Sequence, residues 1–160
     1  MARVLIVDDD ESFSAALGRL VRGSGHDCEL AADGQDGLAK YTRGDYDLVI
    51  ADLKMPRMSG VEFIRDLKRV DRDAVVIVIT GYADLATAID AMALGASDYL
   101  EKPVAVEKFR ESLERGLEQR QAAAQLYFTK GAVWMAVLAT SLWLLLGIVY
   151  FALRSWQTGS

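Results

Sequence analysis

The chain has 160 residues, 26% of them charged, with a net charge of −5 and a pI near 4.9. That length allows one ordinary domain and an appendage, and an acidic balance without a basic stripe argues against nucleic acid as a partner, because such binding displaces phosphate counterions with basic side chains. The single cysteine, Cys28, cannot form an intramolecular disulfide, and the N-terminus meets Asp8 too soon for a secretory leader, so the domain is expected in the cytoplasm.

In chain order, a strand from Val4 to Val7 stops at Asp8 and Asp9. Phe13, Leu17, Leu20 and Val21 then share one face of a helix that Gly23 and Gly25 terminate. A short strand, Cys28 to Ala31, leads to Asp33 as an N-cap, to Leu38 and Tyr41 on a brief helix, and to Gly44, which ends it. Leu48 to Ala51 is a strand stopping at Asp52. Ser59 and Glu62 form a capping box ahead of Phe63, Ile64, Leu67 and Val70. The β-branched run Ala74 to Ile79, stopping at Thr80, reads as a central parallel strand buried on both faces. Asp84 caps an alanine-rich helix with Leu85, Ile89 and Met92 inward, and Gly95 stops it. Asp98 to Glu101 makes the last strand before Lys102, and Val106, Phe109, Leu113 and Leu117 stripe a fifth helix. Strands alternating with helices in this way predict a three-layer, doubly wound α/β domain with five parallel strands and right-handed crossovers.

A sheet of this kind places its site at the C-terminal ends of its strands. Here those ends gather Asp8, Asp9 and Asp52 with the Thr80 hydroxyl and the Lys102 ammonium. A flavin phosphate needs amides and hydroxyls after the first strand, and four successive acidic residues, Asp8 to Glu11, would repel it. Three carboxylates brought together call instead for a hard divalent cation with oxygen ligands, and magnesium suits an open site of this kind. In-line attack by the Asp52 carboxylate on phosphorus, with magnesium, Lys102 and Thr80 taking up charge on the equatorial oxygens, is the chemistry these groups fit. Taken singly, each is ordinary: aspartates after strands usually cap helices. Their joint placement is what carries the functional reading.

The segments VLIVDDDES, DLVIADLKMPRMSG, VIVITGYAD and GASDYLEKP together resemble the receiver domains of bacterial two-component response regulators, over Ala2 to about Gly116. GYAD and AMALGASDYL look most like the nitrogen-regulation subtype, whose receivers ordinarily precede an ATPase and a DNA-binding domain. The resemblance implies a flavodoxin-like strand order of 2-1-3-4-5, phosphorylation of Asp52 by a sensor histidine kinase or phosphotransfer protein, and Mg2+ as cofactor. Asp9 and Asp52 would ligate the ion, Asp8 would act mainly through a bound water, and the Lys54 carbonyl would add a ligand. Lys102 would contact the phosphoryl group, Thr80 and Tyr99 would switch with phosphorylation, and Lys102–Pro103 would be a cis peptide. Position alone leaves Tyr99 open between a switch and a half-exposed strand aromatic.

Beyond the receiver (1–118) and a helical linker (119–131), Ala132 to Leu153 holds 22 residues without a charge. As a helix it extends roughly 33 Å, enough for one membrane crossing. Trp134 near one end and Tyr150 with Trp156 near the other fit aromatic anchors, although Trp143 sits mid-span. Arg115, Arg120 and Lys130 before the span, against Arg154 after it, place the receiver inside and residues 154–160 outside, on the inner membrane. Ala132, Ala136 and Thr140 could pack two spans into a homodimer, and Gly131 is a candidate break in the helix.

The reading is a membrane-tethered phosphoacceptor signalling through protein contacts in place of an output domain. Its own chemistry would be limited to self-phosphorylation and autodephosphorylation. Alternatives are a phosphate sink or relay without output, and an aspartyl-phosphate phosphatase on external substrates. Lys54 counts against the phosphatase, because dehalogenase-like phosphatases carry an acid at that position.

Overall fold

The computed structural model describes the backbone of residues 1–81 and 84–157, and the side chains of 1–81, 84–125, 134–135, 137–141 and 143. Its aliphatic runs pair as parallel strands β1 (Arg3–Val7), β2 (Asp27–Ala31), β3 (Leu48–Ala51), β4 (Val76–Thr80) and β5 (Asp98–Glu101). They lie in the order β2-β1-β3-β4-β5. Between them run helices α1 (Glu11–Gly23), α2 (Gly34–Tyr41), α3 (Gly60–Val70) and α4 (Leu85–Ala93), and α5 (Val106–Gln157) follows β5. This is the doubly wound arrangement that the alternation predicts, in the flavodoxin-like order that the resemblance implies.

Side-chain alternation along the strands divides the core in two. Val4, Ile6, Leu48, Ile50, Ile77 and Ile79 pack under Leu17 and Val21 of α1 and Phe109, Leu113 and Leu117 of α5. Leu5, Val7, Val49, Val76 and Val78 face Tyr41 of α2, Phe63, Ile64 and Leu67 of α3, and Ala91 of α4. All five residues of β4 are buried, as a central strand requires. Asp10, Asp33, Ser59 and Asp84 cap α1 to α4, and Ser59 with Glu62 forms the reciprocal capping box.

One expected helix face is reversed. Leu85, Ile89 and Met92 are 78%, 57% and 49% exposed. The inner face of α4 is instead Ala91, buried, with Leu94 packed against the core just past the helix end. In a helix this apolar, two stripes compete, and small side chains let the backbone lie closer to the sheet. Val70, expected on the core side of α3, is likewise exposed. The strand expected from Ala74 pairs only from Val76, and Ala74 and Val75 are buried ahead of it.

At the N-terminal end of β4, Asp71 collects a second set of polar contacts. Tyr41 Oη donates to its Oδ2 at 2.7 Å and Arg120 Nη2 donates to the same oxygen at 2.9 Å. Arg120 Nη1 donates to the Asp73 carbonyl at 3.0 Å. This ties the α3–β4 connection to α5.

The chain divides into two units, Met1–Gln121 and Ala122–Ser160. The α5 assignment runs through residues 119–131 and through Gly131, where the sequence predicts a break. In the second unit the described large apolar side chains, Trp134, Met135, Val137, Leu138 and Trp143, are exposed, and the Thr140 and Ser141 hydroxyls donate to the Val137 carbonyl. Most side chains of the span predicted over Ala132 to Leu153, and of the 154–160 tail, lie outside the described residues. Among the described residues no helix is long and apolar enough to cross a membrane.

Candidate functional site

Strand register builds the site. Val7 pairs with Ala51 across β1 and β3, so the next residues, Asp8 and Asp52, leave the sheet side by side. The ladder continues one step past the strands: Asp52 N–H donates to the Val7 carbonyl at 3.0 Å and Asp8 N–H to the Ala31 carbonyl at 3.1 Å. On the other side, Lys102 N–H donates to the carbonyl of Thr80 at 2.9 Å, which fixes the turn after β5. The Lys102–Pro103 peptide that follows is cis.

Lys102 reaches back over the edge. Its Nζ donates to Asp8 Oδ2 at 2.7 Å and to Asp52 Oδ2 at 2.8 Å. The ammonium also lies 4.0 Å from the centre of the Phe13 ring, whose π face favours a cation. Asp8 and Asp52 are 4% and 7% exposed, whereas Asp9 is exposed. Lys54 N–H donates to Asp52 Oδ1 at 3.1 Å and Asp10 N–H to Asp8 Oδ1 at 2.9 Å, which orient both carboxylates. Thr80 is fully buried.

Asp8, Asp9 and Asp52 each present a carboxylate oxygen within 4.8 Å of the others. At an effective dielectric near 20, two unit charges 4.8 Å apart repel by about 3.5 kcal/mol. Burial pushes the Asp8 carboxyl above its ordinary range, despite the hydrogen bond from Lys102. Burial pulls the Lys102 ammonium down, but its hydrogen bonds to Asp52 and Asp8 outweigh that and hold it above the ordinary lysine range. With all three carboxylates ionised, one ammonium leaves a surplus of two negative charges among hard oxygen donors. A divalent cation with oxygen preference fits that surplus.

Asp8, Asp9, Asp52 and Lys102 thus fall at one edge with Thr80 at the end of β4, and Tyr99 lies earlier on β5, opposite Val78. Its ring packs against the core on the α3 and α4 side, and its hydroxyl is buried with no hydrogen-bond partner among the described residues. A cleft of about 520 Å³ lined by Tyr99, Pro103, Val104 and Lys108 adjoins Lys102. Lys54 is exposed.

Two supporting residues escape sequence reasoning. Phe13 reads only as part of a helix stripe. Gly60 reads only as a residue of the helix start, yet a Cβ there would collide with the carbonyl oxygen of Asp52 and with Leu53 Cα. Its N–H donates to the Leu53 carbonyl at 2.9 Å. The serine-glycine pair after the Met55–Met58 loop is the only signal that could have marked this close approach.

Comparison with known proteins agrees with this geometry. The family model of the response regulator receiver domain matches residues 4–114. The transcriptional regulatory protein ZraR of Salmonella typhimurium is 35% identical over 124 residues, which cover 77% of this chain and 28% of that protein. The chain therefore spans under a third of the length of such relatives. A receiver domain protein from Clostridium thermocellum has the same fold with a TM-score of 0.73 and 30% identity, over 77% of this chain and 99% of that one. TrrA of Thermotoga maritima, solved in complex with Mg(2+)-BeF, matches with a TM-score of 0.68 and 30% identity, over 73% of this chain and 100% of that one. From strand register, acidic cluster and family match together, the chain belongs to the response regulator receiver family, with residues 4–114 forming the receiver domain of a two-component response regulator.

Proposed function

We propose that this chain is a membrane-tethered phosphoacceptor, phosphorylated on Asp52 by a sensor histidine kinase or phosphotransfer protein and signalling through protein contacts. The observation that carries the reading is the Lys102 ammonium held 2.8 Å from Asp52 and 2.7 Å from Asp8 at the open edge of the sheet. An Asp52 oxygen attacks phosphorus, the bond from phosphorus to the donor breaks, and the donor leaves with that electron pair. Lys102 stays within reach of both the acceptor and the oxygens that gain charge. Asp9, Asp52 and the Lys54 carbonyl would hold magnesium, with Asp8 acting mainly through a bound water; the clustered carboxylates and the Mg(2+)-BeF complex of TrrA support magnesium at this site. When bound, the ion supplies positive charge that offsets the phosphoryl oxygens.

Thr80 and Tyr99 form the response element of this proposal. Thr80 ends β4, the strand next to the acceptor's, and Tyr99 lies one strand further out on β5; the Tyr99 hydroxyl, without a partner among the described residues, is a group whose surroundings can change at little cost in lost hydrogen bonds. The tether rests on the 22 uncharged residues from Ala132 to Leu153. The exposure of Trp134, Leu138 and Trp143 supports it, since large apolar side chains in contact with water are unfavourable.

Incubation of the detergent-solubilised chain with acetyl phosphate and magnesium should add one phosphate by intact mass. Equal incorporation into Asp52→Asn would remove Asp52 as the acceptor. The tether predicts that the chain stays with sedimented membranes in alkaline carbonate, and its release into the supernatant would count against it.

A further inference from the structure

The loop between β3 and α3, residues 52–59, carries the phosphoacceptor at one end and Lys54 beside it. Its far half is pinned to another loop. Arg57 Nη2 pairs with Asp33 Oδ2, although Asp33 is only 3% exposed. The other oxygen of that carboxylate accepts from Asp36 N–H at 2.9 Å, as the N-cap of α2. Arg57 is also the only non-glycine residue with positive φ among the described residues, at 67°. A long side chain in the left-handed region is strained, and such strain persists where surrounding contacts over-determine the conformation.

A second contact acts in parallel. Met58 lies against Gly34, the residue after Asp33, so closely that a Cβ there would meet Met58 Sδ at 2.9 Å. Met58 N–H donates to the Pro56 carbonyl at 2.7 Å and Gly60 N–H to the Leu53 carbonyl at 2.9 Å. The loop is therefore held at both flanks, and Lys54 N–H orients the Asp52 carboxylate at 3.1 Å. Without Arg57, the buried Asp33 carboxylate would lose its countercharge, and the left-handed turn would lose the contact that compensates its strain.

We propose that Arg57 is a positioning residue for the phosphoryl site: by pairing with buried Asp33 it fixes the β3–α3 loop, and through the backbone at Lys54 it sets magnesium affinity and the lifetime of phosphate on Asp52. The lifetime part rests on Asp52 being the phosphoacceptor; the magnesium part does not. Arg57 is itself neither the acceptor nor one of the residues assigned to magnesium.

The test uses the full chain in detergent and compares R57A, R57G, R57K and D33N. Magnesium affinity is read from the metal concentration at half-maximal rise in Tm, and lifetime from loss of phosphate after acetyl phosphate is removed. R57A, R57G and D33N should need on the order of tenfold more magnesium, the scale seen when groups that orient metal ligands are lost, and should change the phosphate half-life in step. R57K, which keeps the charge, should stay near the parent. The D33N/R57A pair should be no worse than either single variant, because both remove one interaction. Glycine adopts φ near 67° without penalty and asparagine caps a helix as aspartate does, so R57G and D33N guard against misfolding of R57A. A purely structural role would lower the metal-free Tm and leave the magnesium midpoint and half-life at parental values, and that result overturns the proposal. If the parent chain takes up no phosphate, the reading of Asp52 fails, while the magnesium midpoints still decide the role of Arg57.

Discussion

Two aspartate clusters sit at opposite edges of the same sheet, and their charge balance differs. At the N-terminal end of β4, Asp71 is in direct contact with one guanidinium, Arg120, and one tyrosine hydroxyl. Burial works against the Asp71 carboxylate, but the hydrogen bonds from Tyr41 and Arg120 outweigh it and hold its pKa below the ordinary range. At the C-terminal edge, one ammonium serves two buried carboxylates with a third nearby, and Asp8 is pushed the other way. A satisfied ion pair stabilises the fold in which it lies; a cluster with surplus charge is costly until something else binds. That contrast separates a structural cluster from a reactive one on physical grounds.

The sharpest break in the comparison is Asp52→Asn, which should abolish phosphate uptake while Asp71→Asn takes up phosphate as the parent does, both read by intact mass. Next in size is the response to metal. Magnesium at a hundredfold over its Kd should stabilise the parent by about 2.7 kcal/mol, seen as a rise in Tm, and Asp9→Asn should lose most of that rise.

The two clusters should also respond oppositely to pH. Asp71 has a depressed pKa, so its contribution is fully present above the ordinary aspartate value of about 4 and is lost as pH falls through its lower folded value. Asp71→Asn should therefore cost about 1–3 kcal/mol at neutral pH, with the difference from the parent shrinking in acid denaturation curves. Asp8 has a raised pKa, so stability present below about pH 4 is lost as pH rises through its folded value. Without metal, Asp8→Asn should then raise Tm at pH 7. The smallest effect belongs to the exposed face of α4: Ile89→Ser should change stability by no more than about 0.5 kcal/mol, measured by urea unfolding.

Much of this was legible in the residues because strand and site coincide. Aliphatic runs that stop at Asp8, Asp52, Thr80 and Lys102 announce both the sheet and its reactive edge, and the parallel register brings them together. The face of α4 was not legible, since Leu85, Ile89 and Met92 form as good a stripe as the one led by Ala91 and hydropathy cannot rank closeness of approach. The Asp71 cluster and the Arg57–Asp33 pair were hidden for a different reason. Each joins residues distant in sequence through a geometry, such as a left-handed turn, that no local pattern records.

The close contact of Gly60 with the backbone of Asp52 has a mechanical consequence. With no side chain between them, the start of α3 and the end of β3 behave as one stiff wall, already at van der Waals limit. Across the site the packing is slacker: α4 buries only Ala91 and leaves its larger apolar side chains in solvent. A push delivered at Asp52 should therefore meet a stiff side toward α3 and a more compliant one toward α4.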